Sequence, residues 1–324
     1  MHANDVSMTV RATIARMAQQ EDINFLLTNR IPRRWLTFAV GRLSRIENPL
    51  FSRVAIALWR LFCDVDLSEA LHTRFRSVHE CFTRQLKEGA RPIDPDPGVL
   101  VSPCDAIVGA CGRVSSGQVL QAKGFPYTLM DLLADLDLVR QYQQGSYVTL
   151  RLTAGMYHRF HAPQDCTVEH VSYISGDTWN VNPIAISRIE NLFCKNERAV
   201  IRARLDTTGH LVTLVPVAAI LVASIRLHFL DVLLHLRYRG PNHIPCSARL
   251  AKGQEMGYFQ HGSTIIVFAP PGLALRPQLA QGAVIRMGEP LFVLPGTAAA
   301  DGPAAGGGPA GGGGTAAADG TPGG

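Results

Sequence analysis

With 324 residues, 47% of them hydrophobic, and a mean hydropathy of +0.09, the chain can bury one large core or two modest ones and is apolar for a soluble enzyme. No charge-free apolar run reaches the ~18 residues of a membrane-spanning helix, and an N-terminus carrying Asp5 and Arg11 lacks the basic-then-apolar layout of a secretory signal. Seven cysteines, an odd number without a Cys-x-x-Cys pair, argue against a disulfide framework or a zinc ribbon and fit a reduced, cytoplasmic environment.

The net charge of +5 is unevenly distributed. Between Ile23 and Phe62 stand Arg30, Arg33, Arg34, Arg42, Arg45, Arg53 and Arg60 against the single acid Glu47. Trp35, Phe38, Ala39, Leu43 and Ile46 recur at helical spacing, as do Phe51, Val54, Ala55, Leu58 and Phe62 after a break at Asn48-Pro49. Two such helices, arginine on one face and large apolar residues on the other, suit the plane of a membrane interface. Each basic residue near an anionic surface contributes about 1 kcal/mol. A pair of core helices with a solvated basic face fits the same pattern. Nucleic-acid binding is the third use of such a patch, but no helix-turn-helix, zinc or RNA-binding signature accompanies it, so no nucleic acid is expected.

From Gly98 the texture changes to short β-branched and aliphatic runs punctuated by Gly and Pro. Val99 to Val101, Ala106 to Val108, Tyr147 to Leu152, Thr167 to Ile174, Ala199 to Leu205, Leu211 to Ile225, Ile265 to Phe268 and Leu291 to Leu294 read as strands. Pro216 makes the long run Leu211 to Ile225 a strand or a strand pair, and Tyr127 to Leu138 reads as a short helix. After Pro295 the chain is Ala, Gly, Pro and Thr with two acids, which cannot bury a core. The expected fold class is α+β: amphipathic N-terminal helices (1–97), a mainly antiparallel β-rich catalytic domain (98–296) and a disordered tail (297–324).

Chemistry concentrates at Lys252-Gly253-Gln254-Glu255-Met256-Gly257-Tyr258-Phe259-Gln260-His261-Gly262-Ser263-Thr264, just before an apolar run. Gly262 can take backbone conformations closed to other residues, so the bond to Ser263 can be held strained and exposed to the hydroxyl of its own serine. An ordinary turn into a strand fits these residues equally well. A serine that attacks an amide needs a base, and the base needs an orienting partner. The chain supplies Asp105, His161 and Ser263 in that order. On these residues alone His161 is one of eleven histidines and Asp105 is equally a turn-former. His158 and His161 also have the spacing of a metal pair, but no third ligand lies nearby, so no metal is expected. Cys104 beside Asp105 reads as a small buried hydrophobe rather than a nucleophile.

Several segments together resemble the phosphatidylserine decarboxylase proenzymes of prokaryotic type. Gly262-Ser263-Thr264 matches their self-cleavage site, with His261 where the family usually has leucine. Arg91-Pro92-Ile93-Asp94, Ser102-Pro103-Cys104-Asp105-Ala106, Gln121-Ala122-Lys123-Gly124 and Tyr157-His158-Arg159-Phe160-His161-Ala162-Pro163 match in order. Gly176-Asp177, Asn191-Leu192-Phe193, Asn196-Glu197-Arg198 and Val222-Ala223-Ser224-Ile225 follow. Ala106 and Ala223 stand where the family usually has glycine, residues 226 to 248 match less well, and the likeness spans roughly residues 20 to 296.

The resemblance implies that Asp105, His161 and Ser263 form a triad for self-cleavage between Gly262 and Ser263. Ser263 would attack the Gly262 carbonyl, ester formation and β-elimination would cut the chain, and Ser263 would become a covalent pyruvoyl cofactor. That group would form a Schiff base with phosphatidylserine and drive its decarboxylation to phosphatidylethanolamine, with His158 in substrate contact or proton transfer. The cleaved α and β chains would remain together as a heterodimer, itself paired as a homodimer, bound peripherally at the cytoplasmic face of an anionic cell membrane. A serine hydrolase would need Gly-x-Ser-x-Gly, which His261-Gly262-Ser263-Thr264-Ile265 is not. Pyruvoyl enzymes acting on soluble substrates would lack the arginine-rich helices, and a non-catalytic membrane-binding protein would not be cut.

Overall fold

The structure, a computed structural model, describes residues 33–121, 125–220, 224–260 and 263–295. The tail expected to be disordered lies outside the described residues, as do His261, Gly262, Lys123 and Ala223.

Two helices lead, α1 (Arg33–Leu43) and α2 (Pro49–Phe62), with a short α3 (Val78–Phe82) after them. The Asn48 side chain accepts the backbone N–H groups of Leu50 and Phe51 at 3.0 Å each, and Pro49 opens α2 where its missing N–H leaves nothing unpaired. The expected break therefore stands. The side of α2 that meets the protein is narrow: Ser52 is buried and donates to the Arg76 carbonyl, and Trp59 stacks on Phe82. Leu50, Val54, Leu58 and Leu61 form an outward stripe, with Leu50 73% exposed. A pair of core helices would bury that stripe, so the alternative of a solvated basic face over an apolar core does not describe α2.

The strands follow as β1 (Val99–Val101), β2 (Ala106–Arg113), β3 (Gln118–Leu120), β4 (Pro126–Thr128), β5 (Ser146–Leu152), β6 (Arg159–His161), β7 (Cys166–Ile174), β8 (Arg198–Leu205) and β9 (Leu211–Ala218). After them come β10 (Ser224–Leu227), β11 (Val232–His235), β12 (His243–Leu250), β13 (Glu255–Phe259), β14 (Ser263–Ala269), β15 (Ala274–Leu275), β16 (Val284–Ile285) and β17 (Pro290–Val293). Short helices α4 (Leu129–Leu133), α5 (Leu136–Tyr142), α6 (Pro183–Ile186) and α7 (Leu192–Lys195) intervene. The fold is α+β and dominated by antiparallel sheet, as expected. Leu211 to Ile225 contains two strands, β9 and β10, that join different sheets. The helix expected over Tyr127 to Leu138 is two, separated where Ala134 adopts a left-handed conformation (φ 52°) and Asp135 caps the next.

An eight-stranded antiparallel sheet runs β12-β7-β8-β9-β14-β5-β2-β16. A four-stranded sheet, β11-β10-β13-β6, packs near it, and β1-β17-β15 forms a third. Every residue of β14 is buried. Side chains alternate across a strand, so Ile265, Val267 and Ala269 enter one core with Phe160, Ile225, Met256 and Phe259. Ile266 and Phe268 enter a second core beneath α4, α5 and α7. A strand covered on both faces reads as a continuous apolar run, which is why Ser-Thr-Ile-Ile-Val-Phe-Ala shows no alternation. Ser263, on the face of Ile265 and Val267, points toward the layer that holds β6, β10 and β13.

Candidate active site

Ser263 is the first residue of the central strand, opposite Leu152 of β5 and Ala218 of β9. It is fully buried, and its Oγ has no hydrogen-bond partner among the described residues. A buried hydroxyl without a partner costs about 1–3 kcal/mol. Such a group calls for a specific explanation, of which a reactive role is one.

The β6–β13 register sets the two histidines. Arg159 lies opposite Tyr258, His161 lies opposite Glu255, and the Phe259 N–H donates to the His158 carbonyl at 2.9 Å. His158 is thus carried to the end of β13 that leads to Ser263, and His161, three residues on, to the other end, roughly 10 Å back along the strand. The His158 ring is buried against Phe82, with centroids 4.0 Å apart, and its Nδ1 lies 2.9 Å from the Met156 carbonyl. That contact requires the proton on Nδ1 and turns Nε2 into the basic nitrogen.

His161 has the same tautomer. Its Nδ1 donates to the Gly253 carbonyl at 2.9 Å, and its Nε2 accepts from the Tyr157 hydroxyl at 3.0 Å. Burial lowers the His161 pKa, against the opposing pull of the Gly253 carbonyl and Glu255, so the ring is neutral and basic at neutral pH. Asp105 is buried in a bidentate pair with Arg91, whose Nε and Nη2 reach it at 2.8 and 2.5 Å, and it accepts the Met287 N–H at 2.9 Å. Burial alone would depress the Arg91 pKa, but the carboxylates of Asp105 and Glu69 raise it. Arg91, Tyr157, His161, Glu255 and Met287 line one cleft of about 400 Å³.

The structure therefore sets Asp105 against Arg91 and Met287, which line the same cleft as His161, with no hydrogen bond joining Asp105 to His161 or His161 to Ser263. Gly262, the other half of the expected cleavage site, lies outside the described residues. Cys104 is fully buried and burial pushes its thiol well up, which removes it as a nucleophile.

Four residues without an assigned role in the sequence reading complete the site. Arg91 neutralises Asp105, and Tyr157 and Gly253 orient His161. Gln260 accepts from Ser224 Oγ and from Arg45 Nη2, each at 2.8 Å, tying the segment before Ser263 to the turn after α1. Arg91 and Tyr157 were visible as members of matching segments; the Arg45–Gln260 bond spans 215 positions of sequence and carried no local signal.

The segment from α3 to β17 carries all of these features except the links to Arg45 and Glu69. Over it, at residues 78–293, the chain matches the phosphatidylserine decarboxylase family, to which it belongs. Similar curated proteins are named phosphatidylserine decarboxylase proenzyme. The one from Myxococcus xanthus is 36% identical over 271 residues, covering 82% of this chain and 95% of the relative. That from Vibrio cholerae is 36% identical, covering 80% and 94%, and that from Haemophilus influenzae 34%, covering 80% and 92%.

Proposed function

We propose that this chain is a self-cleaving phosphatidylserine decarboxylase that produces phosphatidylethanolamine. Within the family, the observation that carries the reading is the Ser263 hydroxyl: wholly buried, unpartnered among the described residues, and at the head of the central strand directly after Gly262. The Ser263 Oγ attacks the Gly262 carbonyl carbon, and the amide is exchanged for an ester as the amine of Ser263 is released. Loss of the α proton breaks the Cβ–Oγ bond, freeing the Gly262 carboxylate and leaving dehydroalanine at position 263. Water then replaces its nitrogen, releasing ammonia and leaving a pyruvoyl group. An orphaned buried hydroxyl is the donor this conversion requires.

When present, the pyruvoyl group supplies an electron sink for loss of carbon dioxide from an amino acid. The protein's own groups manage protons. His161, neutral and carrying its basic lone pair on Nε2, is assigned as the base for Ser263 together with Asp105. This role requires its ring to leave the Tyr157 hydroxyl and its segment to close the roughly 10 Å that separate the two ends of β13. His158, whose Nε2 is basic and whose backbone abuts Phe259, is assigned to substrate contact and protonation. The front helices are assigned to peripheral docking on an anionic bilayer, because the stripe Leu50, Val54, Leu58 and Leu61 is exposed beside Arg53 and Arg60. No helix among the described residues is long and apolar enough to cross a membrane. The two cleaved chains are expected to stay together and to pair as a homodimer.

Intact mass of the purified chain tests the reading. Two fragments dividing between Gly262 and Ser263, the smaller without a free amino terminus, are expected. A single uncut mass after incubation with phosphatidylserine vesicles would overturn it.

A further inference from the structure

A cavity of about 590 Å³ lies between α1 and the β10–β11 pair, separate from the cleft at His161. Arg42, Arg45 and Arg237 line it with no acid among the lining residues, and Ser224, His235 and Gln260 contribute its polar floor. Ion pairing does not explain the arginines: Arg42, Arg45 and Arg237 have no carboxylate partner among the described residues. The Arg237 guanidinium instead lies over the Phe38 ring at 4.1 Å, and Arg45 spends one N–H on Gln260. Both retain further donors in a fixed fork, the geometry that suits a phosphate. The field is already felt inside: burial and the cations of Arg237 and Arg45 lower the His235 pKa.

The position is as informative as the charge. Gln260 and Ser224 line the cavity, and Gln260 is three residues before Ser263. In the serine phospholipid of the proposed reaction, one oxygen and one methylene separate the phosphorus from the reacting α carbon. A phosphate subsite must therefore adjoin the Ser263 position. Phe38 and Leu43 of α1 are exposed on the helix that forms one wall, so the lipid's glycerol end can leave toward an apolar surface.

We propose that this cavity binds the phosphodiester anion of the substrate's head group, with Arg42, Arg45 and Arg237 as its cations; the inference rests on the decarboxylase reading above. Full-length chains carrying Ser263→Ala, with and without Arg42→Gln plus Arg237→Gln, are titrated with glycerophosphoserine, with inorganic phosphate and with dihexanoyl phosphatidylserine below its micellar concentration. Loss of the two arginines is expected to weaken the serine phosphodiesters by about tenfold or more, as for charge-assisted bonds to phosphate, and inorganic phosphate in the same direction. Arg237→Lys, which keeps the charge but not the fork, recovers part of the loss. Unchanged affinity for glycerophosphoserine overturns the proposal. That includes the case where binding to phosphatidylglycerol vesicles falls, which would assign the arginines to the bilayer surface.

Steady-state kinetics of the cleaved enzyme give a second readout. KM is expected to rise about tenfold or more in the double variant, with kcat changing less; a fall in kcat at constant KM overturns the proposal. Failure of the unsubstituted chain to cleave would instead strike the decarboxylase reading itself.

Discussion

The head of β14 and the outer face of α2 depart from ordinary burial in opposite directions. At β14 the hydroxyls of Ser263 and Thr264 are buried without partners among the described residues; on α2 four large aliphatic side chains stand in solvent. A folded chain avoids both, because the first forfeits hydrogen bonds and the second forfeits burial. Under the proposed function each departure has a use: a hydroxyl that reacts with its own backbone, and a surface that meets lipid. Between the two regions run the Trp59–Phe82–His158 stack and the Arg45–Gln260 bond, so the front helices and the segment before Ser263 are mechanically continuous.

The largest expected effect comes from Ser263→Ala. Cleavage and decarboxylation should vanish, while removal of an unpartnered hydroxyl should leave thermal stability equal or raise it by about 1 kcal/mol. A marked fall in melting temperature would show that the hydroxyl serves the fold, and the comparison with α2 would fail. Arg91→Ala should destabilise by roughly 3 kcal/mol or more in urea, because it strands the buried Asp105 carboxylate. Combining it with Asp105→Ala should recover much of that loss, and a simple sum of the two penalties would contradict the pairing.

On the other side of the comparison, Leu50→Gln with Leu58→Gln should lower partitioning onto anionic vesicles by about tenfold or more, since each leucine withdraws apolar area from the interface. The melting temperature should barely move. Reversed outcomes would make the stripe a structural surface. The smallest effect concerns His79, whose backbone N–H donates to Ser44 where α1 meets α3. Burial first, and then the Arg45 cation, lower its pKa from 6.5 to about 4. The unfolded chain therefore binds more protons in this interval, so the His79 contribution to stability is intact above pH 6.5 and falls as pH drops toward 4. His79→Gln should flatten that part of the stability profile, and an unaltered slope would remove His79 as its source.

The elements legible in the sequence were those with a strong local pattern. β5, β7 and β8 stand out by β-branched and aliphatic residues interleaved with polar ones, β14 by a continuous apolar run, and Asn48-Pro49 is a capping signal in its own right. β12 was not legible, because this edge strand carries Pro245, Cys246, Ser247 and Arg249 and buries little of its length. β13 was hidden by Gly257, which reads as a breaker. It is required there, since a side chain at that position would collide with the Arg226 carbonyl on β10. At the site, Asp105, His158, His161 and Ser263 were visible as residue types in matching segments. Their pairings were not, because Arg91 meets Asp105, the Gly253 carbonyl meets His161 and Arg45 meets Gln260 through tertiary contacts that leave no periodicity in the sequence.

β14 sits between β9 and β5, β16 closes the sheet edge on β2, and β17 lies between β1 and β15. A cut before Ser263 would leave β14 to β17 on the shorter polypeptide, woven by backbone hydrogen bonds into strands of the longer one. The two polypeptides could separate only by tearing out the middle of the largest sheet. The mature molecule would thus melt as one cooperative unit, yet its recovery from denaturant would become second order. The precursor should refold at any dilution, whereas the processed form should refold more slowly as protein concentration falls.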